Sequence, residues 1–186
     1  MTNISDDIDR TLATRLKTER HTRNWSMQEL ANRAGISKAM IGRIEKGDVS
    51  ATANILAKLA NALGLTLSML LARTEADQAD HLARDQQPVW IDPETGYVRR
   101  SISAAGVRGA EVTEVTLPGK AEVRLDVQTH AITAQQLLML EGALIFESGD
   151  KAFRLAREDW LRTPDSGPRV FRNPQSKPCV YLLISV

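Results

Sequence analysis

Residues 29–47 read ELANRAGISKAMIGRIEKG, and this stretch decides the fold of the N-terminal part of the chain. Apolar residues recur at helical spacing on both sides of Gly35, and Ser37 stands where a second helix would begin. A helix of about eight residues, a tight turn through a glycine and a second short helix form a helix-turn-helix. The stretch therefore predicts two short helices packed across each other, with the outer face of the second one projecting.

The sequence on either side extends this pattern to a bundle. The S-x-x-E box of Ser26 and Glu29 marks the start of the helix before the turn, and Thr52 marks the start of a further helix that follows the motif. A short fifth helix is predicted over residues 67–71. The apolar stripes of the first four helices are Ile8, Leu12, Ala13 and Leu16; Met27, Leu30 and Ala31; Met40, Ile41 and Ile44; and Ile55, Leu56, Leu59, Ala60 and Leu63. We expect a compact five-helix domain over residues 8–73.

The pattern changes after a polar stretch. TEADQADHLARDQQP, at residues 74–88, has almost no large apolar residue, and the segment 74–89 is predicted to be a linker. From Trp90 onward the apolar residues alternate with period two in short runs separated by turns such as LPGK and ESGDK. Residues 90–186 are therefore predicted to form an all-β sandwich or barrel.

Charge and cysteine content limit the function classes. The net charge is +1, but residues 10–73 carry eleven Lys or Arg against four Asp or Glu, whereas residues 76–186 carry thirteen against fifteen. A basic helical domain on an otherwise neutral chain indicates a polyanionic partner for that domain. The single cysteine, Cys179, excludes an intrachain disulfide and is expected to be a buried apolar residue, with a redox-sensing thiol as the alternative. An acidic N-terminus and the lack of a long apolar run predict a cytoplasmic protein without a membrane partner.

The segment from Ile8 to Ala72 resembles the lambda-repressor-like, or Xre-type, helix-turn-helix family, on the residues RLKTERHTRNWSMQELANRAGISKAMIGRIEKGDVSATANILAKLANALGLTLSMLL. The resemblance implies binding to double-stranded DNA. The residues expected to contact DNA are Gln28, Ser37, Lys38, Ala39, Arg43 and Lys46. A guanidinium can donate two hydrogen bonds to a guanine edge, and a methyl group can contact the methyl of thymine. The alternative is a helical bundle of the same geometry that binds no DNA. Asp48 follows the glycine of EKG where many relatives carry a basic residue, which argues against phosphate contacts from this loop.

The C-terminal half resembles the cupin family, a double-stranded β-helix barrel, on the stretches LMLEG and GDKAFRLAREDWLRTPDSGPRVFRN. Cupin enzymes hold one divalent metal with three histidines and a glutamate. Here Gln135 or Gln136 stands at the glutamate position, Arg169 stands at the last histidine position, and only His130 lies near the first motif. Arginine stays protonated, so no metal and no cofactor are expected. The barrel is instead predicted to hold a small molecule, with Arg169 binding a carboxylate or phosphate and His130, Gln135 and Gln136 lining the same pocket. A salt bridge of Arg169 at the barrel rim is the alternative.

These observations predict a multidomain protein with an α-helical and an all-β part, and a function as a DNA-binding transcriptional regulator rather than an enzyme. We expect repression, a palindromic operator and a homodimer that is supported by the cupin-like domain, which would sense a small-molecule effector. One alternative is an antitoxin-like autoregulator that binds a partner protein. The other is a metal-dependent cupin enzyme fused to a DNA-binding domain.

Overall fold

The computed structural model describes residues 4–71, 81–103, 110–126, 134–164 and 168–186. Residues 4–71 form five helices, which confirms the predicted bundle. They are α1 (Ile4–Thr22), α2 (Met27–Ala34), α3 (Lys38–Lys46), α4 (Ala53–Leu63) and α5 (Leu67–Leu71). Within the described residues, no helix is long and apolar enough to cross a membrane.

Local signals fix where α2 and α3 begin and end. The Ser26 hydroxyl accepts the backbone N–H of Glu29 at 3.1 Å, and the Glu29 carboxylate accepts the Ser26 N–H at 2.7 Å, which completes the predicted capping box. Ser37 caps α3 in the same way, by accepting the N–H of Met40. Gly35 ends α2 at φ 64° and ψ 36°, a left-handed conformation that a residue with a Cβ atom adopts at a cost. The two helices and their turn therefore follow from residues that are close in sequence.

Helix α4 is buried on nearly all sides. It contacts α2 and α5 in the bundle and strand β4 (Glu122–Leu125) of the β-domain. A helix that is apolar around most of its circumference belongs in an interior. Helix α4 is in such an environment because both the bundle and the β-domain pack against it. Its buried residues are Ala53, Leu56, Ala57, Leu59, Ala60 and Leu63.

The C-terminal half has ten strands among the described residues. They are β1 (Val89–Ile91), β2 (Val98–Ser101), β3 (Glu111–Leu117), β4 (Glu122–Leu125), β5 (Gln135–Glu141), β6 (Ala143–Ser148), β7 (Lys151–Ala156), β8 (Trp160–Arg162), β9 (Arg169–Arg172) and β10 (Cys179–Ser185). One sheet has the order β1-β2-β3-β10-β5-β8 and the other β4-β9-β6-β7, and every pairing is antiparallel. The four-strand series β3-β10-β5-β8 and β4-β9-β6-β7 is the double-stranded β-helix, or jelly roll, so the cupin-like fold prediction is confirmed.

Aromatic side chains from both sheets fill the barrel. Phe171 of β9 stacks on Tyr181 of β10, with 5.9 Å between ring centroids and 2° between ring planes, and Phe146 of β6 lies 5.0 Å from Phe171. Cys179 is fully buried at the start of β10, as predicted, and burial raises its pKa to about 11. Strand β1 begins at Val89, the last residue of the predicted linker, because Val89 pairs with Arg100 of β2.

Candidate nucleic-acid interface and barrel site

Helix α3 presents a basic outer face. Lys38, Ala39, Arg43 and Lys46 are exposed, while Ile41 and Ile44 are buried in the bundle. Gly42, between these exposed residues in the sequence of α3, is only half-exposed. A Cβ atom at Gly42 would lie 4.0 Å from the sulfur of Met27, so this position lies against α2. The four exposed residues are among those expected to contact DNA.

A buried ion pair, which the sequence pattern did not reveal, fixes the position of α3. Arg20 of α1 donates from Nε and Nη2 to the two carboxylate oxygens of Glu45, at 2.7 and 2.8 Å. Its Nη1 donates to the carbonyl oxygen of Trp25 at 2.8 Å. The Arg20 and Glu45 side chains are 7% and 3% exposed, and the hydrogen bond to Glu45 raises the pKa of Arg20 above its ordinary value. A two-point contact of this kind holds α3 in one orientation on α1.

The same pair affects the charge that α3 presents. Glu45 is the single acidic residue in the sequence of α3, and its carboxylate faces Arg20 inside the bundle. The outer face of α3 therefore carries the three cations Lys38, Arg43 and Lys46 together with the small side chain of Ala39. A positive, shallow helical face is suited to the major groove of DNA.

Gln28 and Ser37 lie next to this face with part of their hydrogen-bonding capacity in use. Gln28 is exposed on the first turn of α2, and its Nε2 donates to Oδ1 of Asn32 at 2.9 Å. Ser37 is exposed, and its oxygen accepts the Met40 N–H. A serine hydroxyl that accepts one bond can still donate its own proton, for instance to a phosphate oxygen. Both positions are compatible with the predicted DNA contacts.

Gln135 and Arg169 meet inside the jelly roll. Arg169 Nη1 donates to the side-chain oxygen of Gln135 at 2.6 Å, and Nη2 donates to the carbonyl oxygen of Pro164 at 3.3 Å. The Gln135 amide nitrogen donates to the hydroxyl of Ser185 at 3.1 Å. Gln135 and Arg169 are each 8% exposed, and Arg169 pairs with the buried Ser148 across the β6–β9 ladder. Arg169 is thus a buried residue at the first position of β9, hydrogen-bonded to the first residue of β5.

The prediction that Gln136 lines the same pocket is wrong. Successive residues of a strand point to opposite faces of a sheet, so the inward position of Gln135 places Gln136 on the outside. There its side-chain oxygen accepts the indole N–H of the exposed Trp160 at 3.0 Å. His130 lies outside the described residues.

The residues at the cupin metal position do not fit a metal. A guanidinium has no lone pair to offer and repels a cation, and the Gln135 amide oxygen is used by Arg169. Within the described ranges, no three His, Cys, Asp or Glu side chains come close enough together to hold a metal ion. We therefore derive no chemistry through a metal at this site.

Comparison with known proteins agrees with the division into two parts. A helix-turn-helix family model matches residues 16–70. The HTH-type transcriptional regulator SutR from Escherichia coli (strain K12) is 32% identical over 114 residues, which are 58% of this chain and 64% of that protein. The match therefore spans slightly less than two thirds of the length of this relative.

Solved structures extend the similarity to the fold of the whole chain. An HTH_3 family transcriptional regulator from Vibrio cholerae superposes with a TM-score of 0.79 at 21% identity, over 98% of each chain. Hydroxypropylphosphonic acid epoxidase from S. wedmorenis reaches only 0.47 at 17% identity, over 96% of this chain and 98% of that one, a level that carries no functional argument. Residues 16–70 of the chain thus match a helix-turn-helix family, and a cupin-like jelly roll follows them.

Proposed function

We propose that this protein is a sequence-specific DNA-binding transcriptional regulator, acting as a repressor, and that it is not an enzyme. The observation that carries the proposal is the exposed basic face of α3, held in one orientation by the buried Arg20–Glu45 pair. The helix-turn-helix family match and the similarity to the transcriptional regulator SutR support it. A basic domain joined to a neutral one also agrees with a polyanion bound by the helical part alone.

In this proposal α3 enters the major groove, which is about 12 Å wide and admits one helix. Arg43 reads a guanine through two hydrogen bonds, and Ala39 contacts a thymine methyl. Lys38 binds a base edge or a phosphate, and Lys46 binds a phosphate. Gln28, at the start of α2, binds a phosphate together with the free N–H groups of that helix end.

We further propose a homodimer on a palindromic operator. One helix-turn-helix makes too few contacts for tight, specific binding, and two-fold pairing doubles them. Two α3 helices related by a two-fold axis would read half-sites about 34–36 Å apart, or a multiple of that distance. The jelly roll would supply part of the dimer contact.

The jelly roll is proposed to bind a small carboxylate or phosphate as effector. Arg169 is a permanent cation in a buried position, where it donates to the oxygens of Gln135 and Pro164. The planar fork of a guanidinium matches the two oxygens of such an anion. The effector acts only to the extent that it binds one placement of the two DNA-binding domains more tightly than another.

The DNA-binding proposal is tested on duplexes selected by the protein from a random library, with affinity measured by fluorescence anisotropy at fixed salt. Arg43→Ala should weaken binding to the selected duplex by about 1–3 kcal/mol, roughly 5- to 150-fold, and should weaken binding to random DNA much less. Gln28→Ala should weaken binding to the selected duplex and to random DNA by a similar factor. Arg157→Ala is the matched control because Arg157 is 74% exposed on the jelly roll, and it should leave both affinities unchanged. Equal losses for Arg43→Ala on selected and random DNA would show that Arg43 does not read bases.

The effector proposal is tested first by elemental mass spectrometry on protein that has met no chelator. A full equivalent of iron, manganese, nickel or zinc would overturn it and would favour a metal enzyme or metal sensor. If little metal is present, small carboxylates and phosphates are screened by thermal shift and calorimetry. A bound anion should lose its affinity in Arg169→Met but keep it in Arg154→Met, a change at an exposed arginine of β7. Equal affinity for both variants would place the anion elsewhere.

A further inference from the structure

The first turn of α4 is capped by the jelly roll and not by its own N-cap residue. Thr52 has the extended conformation of an N-cap, but its side chain makes no cap hydrogen bond with the described residues. Instead, Oδ1 of Asp92, from the turn between β1 and β2, accepts the backbone N–H of Ala53 at 3.1 Å in a buried contact. A carboxylate at a helix N-terminus satisfies a free N–H group and interacts favourably with the helix dipole. The cap of α4 therefore depends on the packing of one domain on the other.

Asp92 is held rigidly in this role. It is 2% exposed, and its other oxygen accepts both the backbone N–H and the hydroxyl of Thr95, at 3.2 and 2.5 Å. Its backbone N–H donates to the carbonyl of Tyr97, and its carbonyl accepts the N–H of Gly96. The hairpin fixes the backbone and Oδ2 of Asp92, and this leaves Oδ1 pointing toward α4.

A second aspartate holds the next residues of α4. The Asn54 amide nitrogen donates to Oδ2 of Asp126 at 2.7 Å, and the Asp126 backbone N–H donates back to Oδ1 of Asn54 at 3.2 Å. Nζ of Lys58, one helical turn further on, lies 3.3 Å from the same carboxylate oxygen. The two hydrogen bonds between Asn54 and Asp126, one in each direction, and the nearby Lys58 fix both the distance and the rotation of α4 relative to the jelly roll.

The contact around these two aspartates is polar and not tightly packed. A cleft of about 200 Å³ opens beside it, lined by residues of both domains such as Asn54, Glu94 and Arg124. The buried apolar residues of the two domains form one continuous core, and at this polar end of α4 the directional hydrogen bonds add an alignment that apolar contacts do not give. A third polar contact, 3.3 Å between the hydroxyls of Ser68 in α5 and Thr113 in β3, lies away from this turn.

Asp126 also links this contact to the barrel site. Strand β4 pairs with β9 so that Leu125 stands opposite Arg169, and Asp126 is the residue that follows Leu125. Arg169 is the residue that binds Gln135 inside the barrel. A shift of the Arg169 backbone is therefore transmitted through one ladder position to the carboxylate that holds α4.

We propose that Asp92 and Asp126 are the positioning residues that set the helix-turn-helix domain on the jelly roll, and that Asp126 couples α4 to Arg169. Helix α4 follows α3 after the connection 47–52, so a rotation of α4 moves the DNA-contacting face. The positioning role stands on the contacts alone, while its use in effector signalling rests on the proposed function. Coupling of this kind changes affinities by about 5- to 150-fold in typical cases.

The test uses the full chain and nuclear magnetic resonance. In the parent protein the two domains should share one rotational correlation time, from nitrogen-15 relaxation. In Asp92→Ala/Asp126→Ala the same relaxation data should show increased motion of one domain relative to the other, although the shared apolar core keeps them joined, and the Ala53 amide should exchange with solvent at least about tenfold faster. Asp150→Ala, at an exposed turn of the jelly roll, should change neither quantity. A double variant without added motion between the domains, and with parental exchange at Ala53, would overturn the positioning role.

The link to the barrel is tested by Arg169→Met without any ligand. Amide resonances at Ala53 and Asn54 in the first turn of α4, and at Lys58 one turn further on, should shift in Arg169→Met and should stay in place in Arg154→Met. Parental shifts in Arg169→Met would overturn the coupling through Asp126. If Arg169→Met unfolds the barrel, Arg169→Lys, which keeps the charge and loses the fork, serves in its place. None of these results depends on DNA, so a failure of the proposed function would appear separately, in the Arg43→Ala affinities.

Discussion

Replacing Glu45 with alanine should lower the free energy of unfolding of the helix-turn-helix domain by more than is usual for a residue on an outer helix. The change removes the carboxylate that accepts two hydrogen bonds from Arg20, at 2.7 and 2.8 Å, where both side chains are at most 7% exposed. The guanidinium then stays buried without that carboxylate, and an arginine does not lose its proton to escape the cost. Breaking a buried pair by removing one partner costs about 3–5 kcal/mol. A loss of this size is a large part of the about 5–15 kcal/mol that stabilises a typical domain.

The assay is urea denaturation of the full chain, followed by circular dichroism at the helical wavelength. Glu122→Ala is the control with matched geometry. The Glu122 carboxylate also lies 2.7 Å from an arginine Nε, that of Arg172, but the two side chains are 37% and 40% exposed. Exposed pairs contribute about 0–1 kcal/mol, so this variant should lose little stability.

A second control separates the charge from the packing. Arg20→Met/Glu45→Leu removes both charges and keeps apolar volume, and buried pairs replaced in this way are often neutral or more stable by about 1–4 kcal/mol. We therefore expect the double variant to be more stable than Glu45→Ala alone. If Glu45→Ala loses less than about 1 kcal/mol, as Glu122→Ala does, the reasoning that burial determines the energy of this pair is refuted.

Three further predictions concern the jelly roll and its contact with α4. Cys179 should resist alkylation at pH 8 in the folded protein and react after denaturation, because it is fully buried and its pKa is raised to about 11; rapid modification of the native protein, followed by mass spectrometry, would contradict its placement. Gly142→Ala should lower the free energy of unfolding by at least about 1 kcal/mol, since Gly142 has φ 78° and a Cβ atom there would lie 2.8 Å from Cys179 Cβ; an unchanged denaturation midpoint would contradict this. The pKa of Asp126 is held below its ordinary value of 3.8, first by the hydrogen bond from Asn54 and then by Lys58. The stabilising effect of the ionised carboxylate should therefore be full above pH 3.8 and be lost as the pH falls through the lowered pKa. A carboxyl resonance of Asp126 that titrates at or above 3.8 would contradict the contact.

The helical domain was predictable because its signals are local. The capping box of Ser26 and Glu29 spans four residues, Gly35 ends α2 by its own conformational freedom, and the helical period of Ile41 and Ile44 decides which face of α3 is exposed. The same period gave the exposed positions of the residues expected to contact DNA. None of these inferences needed knowledge of a distant part of the chain.

The strands were predictable only where they alternate over a long run. Strand β3 coincides with the alternating run EVTEVTL, whereas the sequences of β8 and β9 show no such run. Strand β8 is a three-residue edge strand, and β9 begins and ends with arginine around Val170 and Phe171. Such short segments show no clear period, and their pairing partners, rather than their own residues, make them strands.

The barrel site was predicted in part. The family pattern placed Arg169 and a glutamine at the metal position, but it did not decide between Gln135 and Gln136. Strand alternation decides it, because the register that puts Gln135 beside Arg169 turns Gln136 toward Trp160 on the outer surface.

The sequence by itself determined the two domains and the exposed face of α3, because each depends on residue type and on spacing within a few positions. Only the tertiary structure decided what holds these parts in place. Glu45 is paired with Arg20 across 25 positions, and the cap of α4 comes from Asp92, 39 positions beyond Ala53. A carboxylate has the same chemical character wherever it occurs in a sequence, and the partner that folding brings within hydrogen-bonding distance decides whether it is solvated or holds two domains together.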